Sequence, residues 1–256
     1  MPDYRMKLYS SYVSKFKGTS SQNDTDSLAT YFGWCENNYH SLLKRSNPND
    51  KIVELGCGSG NMLEFLTRSG FKQVTGIDIS SEQIELAHKR GWKAEVADVF
   101  EYLSEKEDSF DLIIALDFIE HFSKDELLIL AKLFFDSLRK GGRLILQTVN
   151  GEGLFPNQYI YGDLTHLTIF TTSSMQQLLR LVGFDNFQFT EVDLVRRARS
   201  KLLWKFVKFV TNTILRIESG RSQTLWTESM ICCCEKLNPR IPIDNINNHP
   251  NTTLWG

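Results

Sequence analysis

The sequence lacks an excess of charge of either sign, since 29 lysine and arginine residues face 31 aspartate and glutamate residues and the net charge is −2. This balance gives no overall attraction to nucleic acid or to an anionic membrane surface. No apolar run is long enough to cross a bilayer. The N-terminal MPDYRMKLYSSYVSKFKG lacks the apolar core and cleavage site of a secretory signal, so we expect a cytoplasmic protein that binds no nucleic acid.

Cysteine is scarce, with five residues in 256, and the odd number is typical of reduced thiols in a reducing compartment. Three of them are adjacent, at Cys232, Cys233 and Cys234. Neighbouring side chains on a strand point to opposite faces, so this run is poorly arranged to converge on a zinc ion. We expect small apolar strand residues there and no metal site.

A regular alternation of short apolar runs and helical patterns begins at residue 51. It predicts an α/β fold whose mostly parallel sheet is built from βαβ units. The predicted strands are Lys51–Leu55, Gln73–Ile77, Lys93–Ala97, Phe110–Leu116, Arg143–Val149, Phe187–Val192 and Ser229–Lys236. The predicted helices are Asn61–Arg68, Ser81–Lys89, Lys124–Arg139 and one that begins at FTTSS and ends at Gly183. We expect Lys140-Gly141-Gly142 to end the third of these helices.

The chain divides into three parts by composition. Residues 1–48 alternate between aromatic-rich and polar stretches and are predicted to form an N-terminal helical cap or lid. Residues 49–237 are predicted to form the main domain. The tail 238–256 is rich in asparagine and proline, and we expect poor order there. A basic helical insertion at 195–225 has one basic and one apolar stripe. These stripes favour packing on the domain or a homodimer contact, with membrane contact as a less favoured alternative.

The first predicted strand ends in KIVELGCGSGN, which places a carboxylate at Glu54 and glycines at Gly56, Gly58 and Gly60. A strand that leads through glycine into a helix presents backbone N–H groups to a ligand that approaches closely. The spacing is not the G-x-G-x-x-G of dinucleotide sites, and the G-K-[ST] of a phosphate-binding P-loop is absent. The turn therefore predicts a nucleotide-like ligand without a phosphate cradle.

Two further acids follow the next two predicted strands. Asp78 closes the second strand, where a carboxylate can accept hydrogen bonds from both hydroxyls of a ribose. Asp98 follows the third strand and can accept from an exocyclic adenine amine, while the N–H of Val99 can meet a ring nitrogen. Ligands of open α/β sheets bind at this edge, so the three strand ends predict a nucleoside site.

These motifs resemble those of class I S-adenosylmethionine-dependent methyltransferases, through ELGCGSG, VTGID, EVADVF, FDLIIALDFIEH and LRKGGRLIL. The resemblance covers about residues 50–195 and a last strand near 229–236. It implies a Rossmann-like sheet of seven strands, S-adenosylmethionine as cofactor, and Glu54 as the partner of its ammonium group. The implied cofactor-binding residues are Glu54, Gly56, Cys57, Gly58, Gly60, Asp78, Ile79, Asp98, Val99, Leu116 and Asp117.

Two histidines are candidates for activating the methyl acceptor. His121 ends DFIEH after the fourth strand, and His166 lies in YGDLTH after the fifth. Histidine titrates near working pH and can take a proton from a hydroxyl. Glu120 or Asp163 could orient either ring or join it around a divalent metal. We expect catalytic roles for His121, His166 and Glu120 without a metal, and purely structural roles for the histidines remain open.

The segment PNQYIYGDLTHLTIFTTSSMQQLLRLVGF is similar to a stretch of methyltransferases encoded with bacterial capsule and lipopolysaccharide genes. This narrower resemblance implies O-methylation of a sugar or sugar-linked group, such as a nucleotide-activated or phosphorylated intermediate. It also implies that Tyr12, Tyr159, Tyr161 and Asp163 line the acceptor pocket. The alternatives are a methyltransferase acting on a quinone, phenol or amine of another pathway, and a non-catalytic partner protein that binds the cofactor.

Overall fold

A computed structural model describes residues 25–193, 198–220 and 222–237. Tyr12 and the predicted tail 238–256 lie outside these residues. The helices are α1 (Thr25–Leu43), α2 (Asn61–Arg68), α3 (Ser81–Lys89), α4 (Val99–Ser104), α5 (Lys124–Ser137), α6 (Asn157–Tyr161), α7 (Thr172–Leu181) and α8 (Ala198–Ser219). The strands are β1 (Lys51–Leu55), β2 (Gln73–Asp78), β3 (Ala94–Val96), β4 (Phe110–Leu116), β5 (Leu138–Val149), β6 (Phe184–Glu191) and β7 (Ser229–Lys236), and Ile119–His121 forms a short 3₁₀ turn.

The seven strands form one sheet in the order β3-β2-β1-β4-β5-β7-β6. Strands β1 to β5 pair in parallel, whereas β7 runs antiparallel to both β5 and β6. The chain moves outward from β1 to β3 and then returns to β4 on the other side of β1. Ligands of open α/β sheets bind beside the strand ends at such a reversal. The predicted mostly parallel sheet of seven strands is confirmed.

Apolar layers cover both faces of the sheet, as alternating side chains on buried strands require. On β1, Val53 belongs to one layer and Ile52 to the other. The adjacent cysteines divide in the same way, since Cys232 and Cys234 lie in the first layer and Cys233 lies in the second. All five cysteines are buried free thiols, and the prediction of small apolar strand residues at Cys232, Cys233 and Cys234 is confirmed.

Ser80 caps α3, because its side chain accepts a hydrogen bond from the N–H of Gln83. Helix α5 begins with a capping box in which Ser123 and Glu126 satisfy each other's backbone N–H groups. Ser80 lies just after the end of β2, and Ser123 lies just after the 3₁₀ turn that follows β4. They fix where each loop ends and each helix begins.

The boundary between α5 and β5 differs from the prediction. The helix ends at Ser137, and β5 begins at Leu138 and so includes Lys140-Gly141-Gly142. Phe110 pairs with Leu138 but Leu112 pairs with Arg143, so the intervening residues of β5 form an irregular bulge. Gly141 has a φ of +76°, a left-handed conformation that favours glycine. The glycine pair thus allows a bulge within the strand and does not end the helix.

The inserted helix is present as α8. Trp204 is half-buried, and Lys208 forms an ion pair with Glu191 of β6. The opposite face of α8 exposes Leu202, Phe206 and Ile217. In the described part of the chain, no helix combines the length and the hydropathy that crossing a bilayer requires.

Candidate active site

The turn after β1 requires glycine at three positions. Gly56, Gly58 and Gly60 have φ values of +71°, +52° and +85°, which side-chain-bearing residues rarely adopt. A Cβ at Gly56 would lie 2.7 Å from the Phe118 ring, and one at Gly60 would lie 2.8 Å from the Trp92 ring. The left-handed backbone conformation therefore fixes the shape of this turn, and the rings of Phe118 and Trp92 pack closely against it.

Asp78 ties this turn to the start of α3. One carboxylate oxygen accepts from the N–H of Gly58 at 2.9 Å, and the other accepts from the N–H of Ser80 at 2.8 Å. A carboxylate offers about four acceptor sites, so both oxygens retain capacity for further donors. The predicted ribose acceptor is fixed in position and lines the cavity beside the turn.

Glu54 is buried with 4% exposure, and its Oε2 has no hydrogen-bond partner among the described residues. Burial, followed by the negative charge of Asp78, raises its pKa well above the ordinary value, while a hydrogen bond from the backbone of Leu63 acts in the opposite direction. A buried carboxylate without a partner is unfavourable. A cationic group in the adjoining cavity would supply what this oxygen lacks.

Three cavities, of about 370, 330 and 190 Å³, meet at Asp117, the one described residue that lines all of them. The first is lined by the two histidines and the glycine turn and extends along the strand ends past Asp78 to Asp98. The predicted residues lining it are Gly56, Gly58, Asp78, Ile79, Asp98, Val99, Leu116, Asp117, His121, Asp163 and His166. The third contains Glu54 and Cys57. The two larger cavities are of a size that small ligands occupy.

The far end of the first cavity is suited to a flat heterocycle. Asp98 caps α4 by accepting from the N–H of Phe100 at 2.8 Å, which leaves acceptor capacity for a ligand amine. Ile79, Val99 and Phe122 also line this cavity and provide apolar contact surface. The capping role and the predicted adenine contact are compatible at this carboxylate.

Asp117 occupies the junction in an unusual backbone conformation, with a φ of +47°. Such conformations in residues other than glycine concentrate at functional sites. The side-chain amide of Gln147 lies 3.1 Å from each of its carboxylate oxygens, and Gln147 in turn accepts from the Tyr39 hydroxyl at 2.6 Å. A buried hydrogen-bond chain thus joins α1 and β5 to the junction.

The two histidine rings lie 5.1 Å apart between centroids. Thr165 Oγ1 donates its one hydrogen to Asp163 at 2.6 Å, so it accepts from Nδ1 of His121 at 2.8 Å. His166 donates from Nδ1 to the carbonyl of Ile160 at 3.1 Å, because a carbonyl only accepts. Nδ1 of each ring is therefore a donor, and the ring of His121 also has a hydrogen bond to the backbone of Asp117.

Burial, followed by the neighbouring His166, lowers the pKa of His121, although a hydrogen bond to the carbonyl of Thr165 and the charge of Asp163 act in the opposite direction. Burial alone would raise the pKa of Asp163, but two hydrogen bonds from Thr165 and the nearby histidines lower it. The result is a neutral imidazole connected through Thr165 to an ionised carboxylate. This arrangement can accept a proton at neutral pH.

Glu120 lies behind these rings and is fully buried. Its Oε2 accepts from the Thr148 hydroxyl at 2.9 Å, while Oε1 has no hydrogen-bond partner among the described residues. Burial, and then the charge of Asp117, raises its pKa to about 8. Its backbone carbonyl accepts from the N–H groups of Leu167 and Thr168 at 2.8 and 3.1 Å, which fixes the histidine-bearing loop against the 3₁₀ turn.

The second cavity adds residues that the sequence did not indicate. Of the two tyrosines predicted to line the acceptor pocket, Tyr159 lines this cavity, whereas Tyr161 is 79% exposed and lines none of the three cavities. Its other aromatic residues are Trp34, Phe155, Trp204 and Trp226. They come from two helices and two loops far apart in sequence and form no local motif. The one signal available was Trp204, a tryptophan between Leu203 and Lys205 in the predicted amphipathic helix.

A protein-family model described as a methyltransferase domain matches residues 29–188 of this chain. A probable fatty acid methyltransferase of Pseudomonas putida is 24% identical over 163 residues, which are 56% of this chain and 41% of that protein. The mitochondrial ubiquinone biosynthesis O-methyltransferase of Rattus norvegicus is 29% identical over 196 residues, 62% of this chain and 55% of that protein. The chain thus spans about half the length of these curated relatives.

The fold also has a solved counterpart. A crystal structure of a SAM-dependent methyltransferase from Archaeoglobus fulgidus superposes with a TM-score of 0.63 at 17% identity, covering 92% of this chain and 100% of that one. At this level of identity the superposition supports the fold alone. The predicted Rossmann-like sheet is confirmed, whereas none of these three proteins is named for a capsule or lipopolysaccharide sugar.

Proposed function

The chain belongs to the methyltransferase-domain family, and on that premise we propose that it methylates a hydroxyl group of a small molecule with S-adenosylmethionine. When bound, this cofactor supplies an electrophilic methyl carbon. The observation that carries the proposal is the order of acids along one sheet edge. In the strand order, Glu54, whose Oε2 has no hydrogen-bond partner among the described residues, lies at one end, with Asp78 in the middle and Asp98 at the other end.

Each residue has a role that its surroundings support. Glu54 pairs with the ammonium group of the amino-acid tail, which gives its buried Oε2 the missing cationic partner. Asp78 accepts from the ribose hydroxyls while its bonds to Gly58 and Ser80 hold it in place. Asp98 and the N–H of Val99 bind the adenine edge. Leu116 and Asp117 lie at the end of β4, on the other side of β1, and line both the first and the third cavity.

His121, His166 and Glu120 form the acceptor side. The imidazole of His121 takes the proton of the acceptor hydroxyl, and Asp163 stabilises the imidazolium through Thr165. His166 lines the same cavity and is held through its own Nδ1. Methyl transfer depends chiefly on holding the acceptor oxygen in line with the methyl carbon. The hydrogen bonds of Thr165 with His121 and Asp163 hold this loop in a fixed geometry, which favours such alignment.

A sugar or sugar-linked hydroxyl is the acceptor that we favour. The second cavity combines the rings of Trp34, Trp204 and Trp226 with the polar side chains of Glu228 and Gln147. Aromatic faces contact the apolar side of a sugar ring, and a few placed polar groups fix its hydroxyls. This chemistry agrees with the narrower resemblance to methyltransferases of surface-polysaccharide synthesis. The pathway itself remains a proposal.

A phenolic hydroxyl is the second candidate. It is favoured by the similarity to the ubiquinone biosynthesis O-methyltransferase, which extends over 62% of this chain. The same tryptophan-lined cavity would stack a phenol or quinone ring. Both candidates place a hydroxyl oxygen beside His121 and His166. They differ only in the rest of the acceptor molecule, which is a sugar in one case and an aromatic ring in the other.

The test is a screen of the purified full chain with S-adenosylmethionine and two acceptor panels, scored by mass for one added methyl group. One panel contains nucleotide-sugars and phosphorylated sugars, and the other contains phenols and quinols. Products from the first panel alone support the sugar acceptor, and products from the second alone support the phenol. Cofactor binding without any product from either panel would contradict hydroxyl methylation and favour a non-catalytic binding protein.

A further inference from the structure

We propose that Glu120, His121 and His166 bind one divalent metal ion of the zinc type beside the acceptor hydroxyl. The inference rests on the proposed function, because it assigns the activating group of that same site. It also departs from the sequence expectation of a site without metal. The three residues come from the 3₁₀ turn after β4 and from the loop after β5, so only the folded chain brings them together.

The three side chains are close enough to share one ion. One ligand atom from each lies within 4.8 Å of the other two, and this is the one such group in the part of the chain that the structure describes. Nitrogen and oxygen ligands of zinc lie about 2.0–2.2 Å from the metal, which puts them roughly 3.3–3.6 Å from one another. Side-chain rotations that move the ligand atoms by about an ångström would complete the coordination.

Each of the three is also held through its other polar atom, as metal ligands usually are. Glu120 accepts from the Thr148 hydroxyl through Oε2. His121 donates from Nδ1 to Thr165, which donates to Asp163. His166 donates from Nδ1 to a backbone carbonyl. These bonds hold the two imidazoles and the carboxylate in place around the candidate metal position.

A separate observation comes from the remaining oxygen of Glu120. Oε1 belongs to a fully buried side chain and has no hydrogen-bond partner among the described residues. Buried polar atoms without partners are rare in folded proteins and call for an explanation, of which an ion is one. An ion between Glu120 and the two histidines would satisfy this oxygen directly. The hydrogen bonds from the N–H groups of Leu167 and Thr168 go to the backbone carbonyl of Glu120 and do not involve Oε1.

The donor set indicates the class of metal. Two imidazoles and one carboxylate suit zinc and its neighbours in the transition series, whereas magnesium and calcium prefer oxygen ligands throughout. Three protein ligands leave a coordination position open, as in catalytic zinc sites. Both histidines line the first cavity, so the open position is accessible to an acceptor oxygen.

The chemistry of the site balances with such an ion. The acceptor hydroxyl coordinates the ion, which lowers its pKa, and releases its proton to solvent. The resulting oxyanion forms a bond to the methyl carbon as the carbon–sulfur bond breaks, and sulfur keeps that electron pair. The products are a methyl ether, a neutral thioether and one proton. In this arrangement the imidazoles act as ligands, and the ion takes over their part in activating the hydroxyl.

The test uses the full chain stripped of metal with a chelator and titrated with Zn²⁺ by calorimetry and with Co²⁺ by absorption. We expect one ion per chain and cobalt bands of a nitrogen–oxygen site without a thiolate charge-transfer band. Glu120→Gln and His166→Ala should each lose this ion, while His40→Asn, which changes an exposed histidine of α1, should retain it. Circular dichroism checks that each variant is folded.

A further variant separates ligation from structure. Thr148→Val removes the donor to Glu120 but no ligand, and we expect it to weaken Zn²⁺ binding by about 10–100-fold. No stoichiometric ion in the wild type, undiminished binding in both ligand variants, or a thiolate band would overturn the metal site. If methyl transfer to a hydroxyl persists in metal-free protein, the metal inference fails alone and the imidazole base remains. If the ion binds but no hydroxyl is methylated, the proposed function fails instead.

Discussion

The side-chain nitrogen of Gln147 lies 3.1 Å from both carboxylate oxygens of Asp117, at the point where the three cavities meet. Gln147 comes from β5, and its own oxygen accepts from the Tyr39 hydroxyl of α1. The N-terminal helix is therefore connected to the junction by side-chain hydrogen bonds as well as by apolar packing. This connection gives the first prediction.

Tyr39→Phe should lower the free energy of unfolding by about 1–3 kcal/mol, because it leaves a buried oxygen of Gln147 without its donor. Tyr159→Phe is the matched control, since that side chain is half-exposed and its change should fall within about 0.5 kcal/mol. Urea unfolding of both variants measures the difference. Equal stability of the two would show that the buried bond contributes nothing.

Gly60→Ala should destabilise the chain more than Gly70→Ala does. Both positions have a positive φ, +85° and +96°, so both variants carry backbone strain. At Gly60 the new methyl group would also meet the Trp92 ring, whereas no described atom lies within 4 Å at Gly70. Thermal unfolding with and without cofactor separates the two effects. We expect weaker cofactor binding in Gly60→Ala only. Unchanged binding in both variants would argue against the close contact between the glycine turn and the Trp92 ring.

The pH dependence of stability should report on Glu54. Its folded pKa is raised above the ordinary 4.5, chiefly by burial, so the folded chain binds this proton more tightly than the unfolded chain does. The contribution of Glu54 to stability therefore falls as pH rises from 4.5 through the raised folded pKa. Glu54→Gln should remove this fall and should weaken cofactor binding.

Melting temperatures of the two proteins across this pH range, without cofactor, test the prediction. Glu85→Gln, which changes an exposed carboxylate on α3, serves as the control and should leave the pH profile unchanged. Identical profiles for the wild type and Glu54→Gln would show that the buried carboxylate of Glu54 does not determine the pH dependence of stability.

The thiols should be inert in the folded protein. Burial raises the pKa of Cys35 to about 12 and that of Cys233 to about 11, and it raises the pKa of Cys57 further. The thiolate is the reactive form, so a disulfide reagent should modify no cysteine quickly at neutral pH. All five should react after denaturation. Rapid modification of one thiol in the native chain would place it in an accessible position.

The cofactor-binding residues could be predicted from the sequence because each lies at the end of a strand and belongs to a short local motif. Glu54, Asp78 and Asp98 each lie directly after or within a short motif, and a parallel sheet brings such strand ends to one edge. The strand order beyond this edge depends on pairing between distant segments, and the bulge before Arg143 depends on one glycine conformation.

The acceptor side was readable only in part. His121 and His166 were indicated by their motifs, but their contact through Thr165 and the burial of Glu120 depend on a loop that folds back onto the 3₁₀ turn. Trp34 and Trp204 reach the second cavity from helices at opposite ends of the chain. Local patterns carry no information about such long-range convergence.

Calorimetric titration with S-adenosylmethionine measures most directly whether Asp78 and its neighbours hold a nucleoside cofactor. The wild type and Asp185→Asn, which changes an exposed aspartate on β6, should bind one equivalent with similar affinity. Asp78→Asn should bind at least about tenfold more weakly, because the amide cannot accept through both atoms from Gly58, Ser80 and a ribose. Equal affinity of Asp78→Asn and the wild type, or no binding to either, would contradict the account.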